Sequence, residues 1–394
     1  MTMKLPYRRL SGFYFGYFAT LGVFAPYWTL YLQELGFKST EIGELMAIWT
    51  SGRILAPSFW AWFTEQIGQP MRIVRWSILF TTLCFSLIFD VSEFWKIASI
   101  MVLFCFFWNA ILPQFEVVTI THLGSELHRY SRIRVWGSIG FIALSLMVGK
   151  LLETESLYII PLIIFLTFVG TWLVSLSIPE SKSLHHENAD ISFKKILFQP
   201  AVLALLMGCF LMQASHGAYY TFYSPYLESH GYSKTWIGAL WSLGVLAEVV
   251  LFLVIPNLSS NFNNISLFLL SFLLAGLRWL MIAFGADYLA ILLFAQLLHA
   301  ASFGLYHVIS MQLITKYFSG KYQGRGQALY GSVSYGLGGA LGMLFSGYVY
   351  EINPIYAFIG SSLFCFIAYF VINSTLSTQT TKLENNNDNN FRES

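Results

Sequence analysis

Seven ionisable side chains sit inside long apolar runs of this sequence: Arg53, Glu116, Arg134, Glu248, Arg278, His299 and His307. An ionised group at the centre of a bilayer costs about 2.5–3.5 kcal/mol or more, so such residues survive where they pair, face a cavity or do chemistry. The bland alternative for each is a salt bridge or hydrogen bond between helices that only fixes packing. The chemistry these types allow is proton transfer. A carboxylate or imidazole whose protonation depends on the approach of a second charge can load and release a proton. Glu248, Arg278 and His299 are the candidates for such a unit, with His307 nearby in sequence. Glu248 is the one carboxylate deep in the second half of the chain, since Asp287 and Glu351 lie at the edges of apolar runs. Asn109, Gln213, His216 and Gln296 add neutral hydrogen-bonding groups. Tyr27, Trp28, Trp136, Phe141, Tyr219, Tyr220 and Trp241 offer aromatic wall, although most aromatic residues in so aromatic a chain must serve packing.

The elements that position these residues are membrane helices. The chain has 394 residues, of which 56% are hydrophobic, 18% aromatic and 11% charged. A water-soluble domain carries about 25% charged residues, and one core cannot hide this apolar excess. Lipid is the expected solvent. A span needs about 20 apolar residues, and twelve such stretches occur, near 10–33, 41–63, 72–91, 96–122, 132–152 and 157–178, then 200–227, 235–256, 264–284, 288–315, 325–350 and 354–374. A polar connector, 179–198, divides them into six and six, giving an N-terminal bundle over 1–178, a C-terminal bundle over 199–374 and an Asn-rich tail over 375–394. With both termini cytoplasmic, fifteen Lys/Arg fall on the inner side and four (Lys38, Lys96, Lys150 and Lys234) on the other. That is the positive-inside pattern expected of a multi-pass protein of the cell's inner membrane.

The halves echo each other. Tyr31-Leu32 answers Tyr226-Leu227, Gly36 answers Gly231, and Ile42-Gly43 answers Ile237-Gly238, all at an offset of 195. Val135-Trp136-Gly137-Ser138 answers Leu329-Tyr330-Gly331-Ser332 at 194. In this register Arg53 answers Glu248, so opposite charges occupy matching depths in the two halves. Parallel six-helix repeats bind solute near the midplane between the halves and work by rocking.

Two motifs carry a family resemblance. Asn109-Ala110-Ile111-Leu112-Pro113-Gln114-Phe115-Glu116 resembles the N-A-x-x-P-x-x-E element of the lactose permease group, and Arg132-Ile133-Arg134-Val135-Trp136-Gly137 resembles its R-x-R-x-x-G element. Segments Gln213–Glu248, Tyr130–Phe141 and His299–Met311 look like the 3-phenylpropionate permease subfamily, related to the oligosaccharide:proton symporters. The resemblance implies the major facilitator fold: an all-α integral membrane protein with twelve helices in two pseudo-symmetric bundles. It implies Glu116 and Arg134 as solute-binding residues, with Phe141 as an aromatic platform. By residue type and position, Arg53, Asn109, Tyr219 and Trp241 join them as solute-binding candidates. Arg278 and His299 fall where that group keeps its coupling arginine and histidine. Its proton-carrying glutamate is Ser302 here, and its lysine is Gln296. The solute is an aromatic acid or a carbohydrate, and the resemblance leaves both open. The superfamily's loop motif between helices 2 and 3 is degenerate, which leaves Glu65 with Arg72 or Arg75 as the expected contact there.

Other classes find little support. No G-x-S-x-G, H-E-x-x-H, C-x-x-C or P-loop pattern occurs, so the nucleophile, zinc and nucleotide routes of a membrane enzyme lack their residues. Four isolated cysteines, Cys84, Cys105, Cys209 and Cys365, read as small hydrophobes, and a net charge of +2 offers no nucleic-acid footprint. The expectation is a monomeric secondary transporter with lipid and a small solute as partners. The proton is its coupling ion, and no cofactor is expected. Export or uniport on the same fold are the alternatives.

Overall fold

A computed structural model of the protein describes residues 5–180 and 192–377. Most of the polar connector and the end of the tail lie outside the described residues. Within them the chain forms twelve helical spans. The first six are α1 (Tyr7–Glu34), α2 (Ser39–Ile67), α3 (Pro70–Ile88), α4 (Phe94–Leu123), α5 (Tyr130–Leu151) and α6 (Leu157–Leu176). A short helix, Ser192–Leu197, leads into α7 (Pro200–Ser229), α8 (Lys234–Asn261), α9 (Asn264–Gly285), α10 (Leu289–Tyr317), α11 (323–352) and α12 (Pro354–Thr375).

Eight continuous stretches are long and apolar enough by composition alone to cross a membrane, and one of them, Phe94–Leu151, runs through α4 and α5. The less apolar spans are α1, α2 and α11. All three meet the opposite half, α2 against α11 and α1 against α7, so part of their surface faces protein rather than lipid; α5 and α8 meet across the halves as well.

Local sequence sets the helix ends. Pro70, Pro200 and Pro354 stand in first turns, where a missing N–H costs nothing. Asn263 and Asn353 cap α9 and α12 through side-chain oxygens. The repeated turn glycines Gly36 and Gly231 take left-handed φ values of 88° and 80°, a conformation that favours glycine.

Within each half, helices cross on small residues, as membrane helices do. A Cβ on Gly140 would stand 2.2 Å from the Phe15 carbonyl oxygen, and a Cβ on Gly338 would stand 2.5 Å from that of Phe210. These are pseudo-equivalent crossings, α5 on α1 and α11 on α7. They pair Gly140 with Gly338 at an offset of 198, not the 194 read at the start of these helices, so α5 and α11 fall out of register across the π-wound stretch Gly331–Gly338.

The loop contact expected of Glu65 is also different. Glu65 is exposed and makes no ion pair within 4.0 Å among the described residues. Glu180 takes that place, accepting from the backbone N–H of Met71 at 2.8 Å and of Arg72 at 2.9 Å. Pro70 opens α3 and leaves those first-turn donors free for a carboxylate.

Candidate functional site

The first half builds an aromatic cradle around two arginines. Helix α1 presents Tyr14, Tyr17 and Phe18 at i, i+3 and i+4, one helical face. Helix α2 adds Trp49 and Arg53, α4 adds Trp108 and Glu116, and α5 adds Arg134. The Arg134 guanidinium lies 4.0 Å from the Phe18 ring centroid and 5.5 Å from that of Tyr14, and Arg53 lies 5.0 Å from that of Trp49. Cation–π contacts of this kind hold a guanidinium without neutralising it. Neither arginine comes within 4.0 Å of a carboxylate among the described residues. Glu116 accepts from the Tyr130 hydroxyl at 3.4 Å and lies within electrostatic range of Arg134. Arg134 also lies within electrostatic range of Glu248 and His307, and Arg53 within that of Tyr220.

Three of the expected N-terminal residues sit differently. Asn109 donates to the Cys105 carbonyl oxygen of its own helix at 2.8 Å, under the close approach of Gly52. Phe141 is buried with its backbone against Gly22, and the aromatic surface beside Arg134 comes from α1. Trp136 faces outward and donates to the Tyr7 hydroxyl at 3.2 Å.

The second half is organised around Arg278, which is fully buried. Its Nε donates to the Ala295 carbonyl oxygen at 3.1 Å, Nη1 to Ser302 Oγ at 3.1 Å and Nη2 to Gln296 Oε1 at 3.2 Å. Its guanidinium also lies against the rings of Tyr219 and Trp279, at 4.2 and 4.5 Å. Tyr219 donates to the same Gln296 oxygen, and Trp241 packs 4.5 Å from Tyr219 while donating to Ser224 Oγ. Tyr219 and Trp241 thus belong to the arginine's cage.

Glu248 and Arg278 do not pair. The partner of Glu248 is His299, whose Nε2 stands 3.8 Å from Glu248 Oε2. Arg278 gives its donors instead to three neutral oxygen acceptors. His299 immediately precedes a π-wound turn, Ala300–Leu305, and its ring stacks on Phe303. Further along the same helix, His307 Nδ1 faces the Tyr335 hydroxyl at 2.9 Å and that of Tyr330 at 3.3 Å. His216 marks a break in α7 and sets its ring edge-to-face on Trp279. His299 Nδ1, Gln296 Nε2, Gln213 Nε2 and His216 Nε2 are buried without hydrogen-bond partners among the described residues, an unusual concentration of such polar atoms.

Residues 7–360 match the MFS_1 like family. The chain belongs to that family. It is a major facilitator transporter, and its relatives carry transporter names. It is 29% identical over 349 residues to a probable 3-phenylpropionic acid transporter of Escherichia coli (strain K12), an alignment covering 86% of this chain and 89% of that one. It is 24% identical over 357 residues to the maltose permease of Geobacillus stearothermophilus, covering 88% and 89%. Among solved structures, a mutant form of the nucleoside transporter NupG superposes with a TM-score of 0.85 at 15% identity, covering 94% of this chain and 99% of that one. A bacterial homologue of the lysosomal transporter Spinster superposes with a TM-score of 0.70 at 12% identity, covering 95% and 99%.

The transporter's halves close on each other at the end carrying the Gly36 and Gly231 turns. There Gly43 meets Gly347 backbone to backbone, and Gly238 meets the Ser145 carbonyl. Tyr27, expected to line the cavity, donates to that Ser145 oxygen at 2.6 Å and belongs to this seal. Arg53, Glu116, Arg134 and Glu248 each keep part of their surface open although they lie deep in the bundle. The cavity therefore opens toward the Tyr7 end. Tyr14, Tyr17, Phe18, Trp49 and Trp108 were not singled out by sequence. The one signal for the first three is the i, i+3, i+4 spacing on α1, which does not distinguish a cradle from a packing face in a chain this aromatic, and Trp49 and Trp108 carry none.

Proposed function

We propose that this transporter takes up a small aromatic carboxylate together with a proton, by alternating access across the cell's inner membrane. Both termini are cytoplasmic in this reading and the sealed end faces outward. The observation that carries it is the pair Arg53 and Arg134, two guanidiniums held against aromatic rings with no carboxylate within 4.0 Å among the described residues. Such a site offers charge to an anion and ring faces to an aromatic body. The name of the Escherichia coli relative supports the same chemistry.

Coupling follows in this reading from the electrostatic influence of Arg134 on Glu248. Burial favours the neutral form of a carboxyl, and a nearby cation favours its charged form. A substrate carboxylate on Arg134 screens that cation from Glu248, which then takes a proton, shared with His299. Anion and proton cross together. No cofactor is required, and one chain holds both sites.

A carbohydrate is the second reading. Glu116 beside Arg134 gives one acceptor and one donor for hydroxyl groups, and one relative is a maltose permease. The test is uptake into proteoliposomes of radiolabelled 3-phenylpropionate and maltose, with an inward proton gradient and then with a protonophore. Saturable, gradient-driven accumulation of the acid is expected. Accumulation of maltose alone selects the second reading. Equilibration indifferent to the protonophore means uniport, and accumulation only under an outward gradient means export.

A further inference from the structure

Two carboxylates play no part in the site yet bridge the two halves at the sealed end. Glu153, just beyond α5, accepts from the backbone N–H of Thr235 in the first turn of α8 at 2.8 Å. Glu351, in the last turn of α11, accepts from the backbone N–H of Ser39, the first residue of α2, also at 2.8 Å. First-turn N–H groups have no acceptor within their own helix, and a helix start carries partial positive charge. Lys38, which precedes α2, has no side-chain acceptor to offer. Each half therefore supplies the anionic cap for a helix of the other.

The two contacts are copies of one device. Each glutamate lies four residues past a glycine that lets the same helix start approach. A Cβ on Gly149 would stand 2.6 Å from the Lys234 carbonyl oxygen, and one on Gly347 would stand 2.9 Å from that of Ser39. Glycines and glutamates are related by the same offset of 198, and Ser39 and Lys234 by 195. Both contacts lie on the seams that must part for the cavity to open outward. We infer that Glu153 and Glu351 are paired latches that hold the outer face closed by capping α8 and α2 from the opposite half.

The Thr235 N–H holds the Glu153 carboxyl below the usual carboxylate range, so this latch is charged at neutral pH. On opening, both partners meet water, and a contact at a wetted edge is modest by itself. That makes the latches reversible, and their effects on the closed population multiply. The Tyr348 hydroxyl, donating to Glu44 Oε1 at 2.8 Å, reinforces the α2–α11 seam.

The inference rests on alternating access and not on the identity of the solute. Its first test, by labelling, needs no substrate. Ser145 is buried in the seam, with its Oγ donating to the Gly238 carbonyl oxygen. In a full-length chain with the four native cysteines replaced by serine, Ser145→Cys is the probe, and its rate of reaction with a bulky hydrophilic maleimide is the readout. Adding Glu153→Ala or Glu351→Ala should raise that rate about threefold each, and the double variant about tenfold, in line with the loss of exposed capping contacts. Glu153→Gln with Glu351→Gln keeps an acceptor oxygen without the charge and should fall between. A double alanine variant that labels no faster than the parent overturns the inference. Should that variant fail to reach the membrane, Glu153→Cys with Thr235→Cys decides. A disulfide formed there should stop uptake until it is reduced, and undiminished uptake with the disulfide intact also overturns the inference.

Discussion

The two halves share a fold and differ in how continuously it is wound. In the first half α1, α4 and α5 run unbroken, even through Pro26 and Pro113, and residues 5–180 contain no π-wound turn. Their counterparts in the second half are all interrupted: α7 at His216, α10 at Ala300–Leu305 and α11 at Gly331–Gly338. The charges divide in part the same way. Arg53, Glu116 and Arg134 stay partly open on unbroken helices, as Glu248 does on the unbroken α8, whereas Arg278 and His299 are buried beside irregular stretches. Wide turns and helix breaks at depth are tolerated where other groups re-satisfy the backbone, and they gather at sites that change state. In the proposed mechanism the first half holds the solute in fixed geometry, and the second half carries a proton site that adjusts.

Removing Arg278 should do the most damage, because it strips a cation from three oxygen acceptors and two rings at once. Arg278→Ala should destabilise the folded transporter by about 3 kcal/mol or more, read as a lowered Tm of the purified protein. A variant of undiminished Tm and lost coupling would move Arg278 from scaffold to mechanism. Arg134→Ala is expected to behave oppositely, with Tm nearly unchanged and uptake reduced about 100-fold, near the 2–3 kcal/mol of a charge-assisted pair. If uptake survives, the anion binds elsewhere. Phe18→Ala removes the ring beneath that guanidinium and should weaken substrate binding about tenfold, within the range of a cation–π contact. Competition by unlabelled substrate measures it. Tyr335→Phe deletes one hydrogen bond to His307. It should shift uptake by less than about threefold, the low end, about 0.5 kcal/mol, of a net hydrogen bond, and a large effect would add His307 to the proton path.

Much of this division was out of reach of the sequence. The spans and the internal repeat are written in apolar length and in Gly36, Gly43, Gly231 and Gly238, because lipid and close helix crossings demand those residues. The breaks are not. Nothing in Ala300–Leu305 or Gly331–Gly338 marks a π turn, since winding is decided by what packs alongside. Ser302 and Gln296 look, by residue type, like departures from a proton relay, and in the folded protein they are acceptors for Arg278. Glu351 reads as a polar residue at a span edge, and its bond to Ser39 joins residues far apart in the chain. The Arg53 and Arg134 cradle was half legible. The arginines stand out against an apolar background, but their rings are lost among many.

The central claim is that Glu248 carries the proton that an anion on Arg134 admits. It is tested by following substrate and proton entry together in proteoliposomes holding Glu248→Gln, with labelled 3-phenylpropionate outside and a pH dye inside. The account predicts that this variant still exchanges internal for external substrate at near the normal rate, moves no protons with it and builds no gradient when the outside is acidified. A variant that concentrates substrate and acidifies the lumen as the parent does would contradict it.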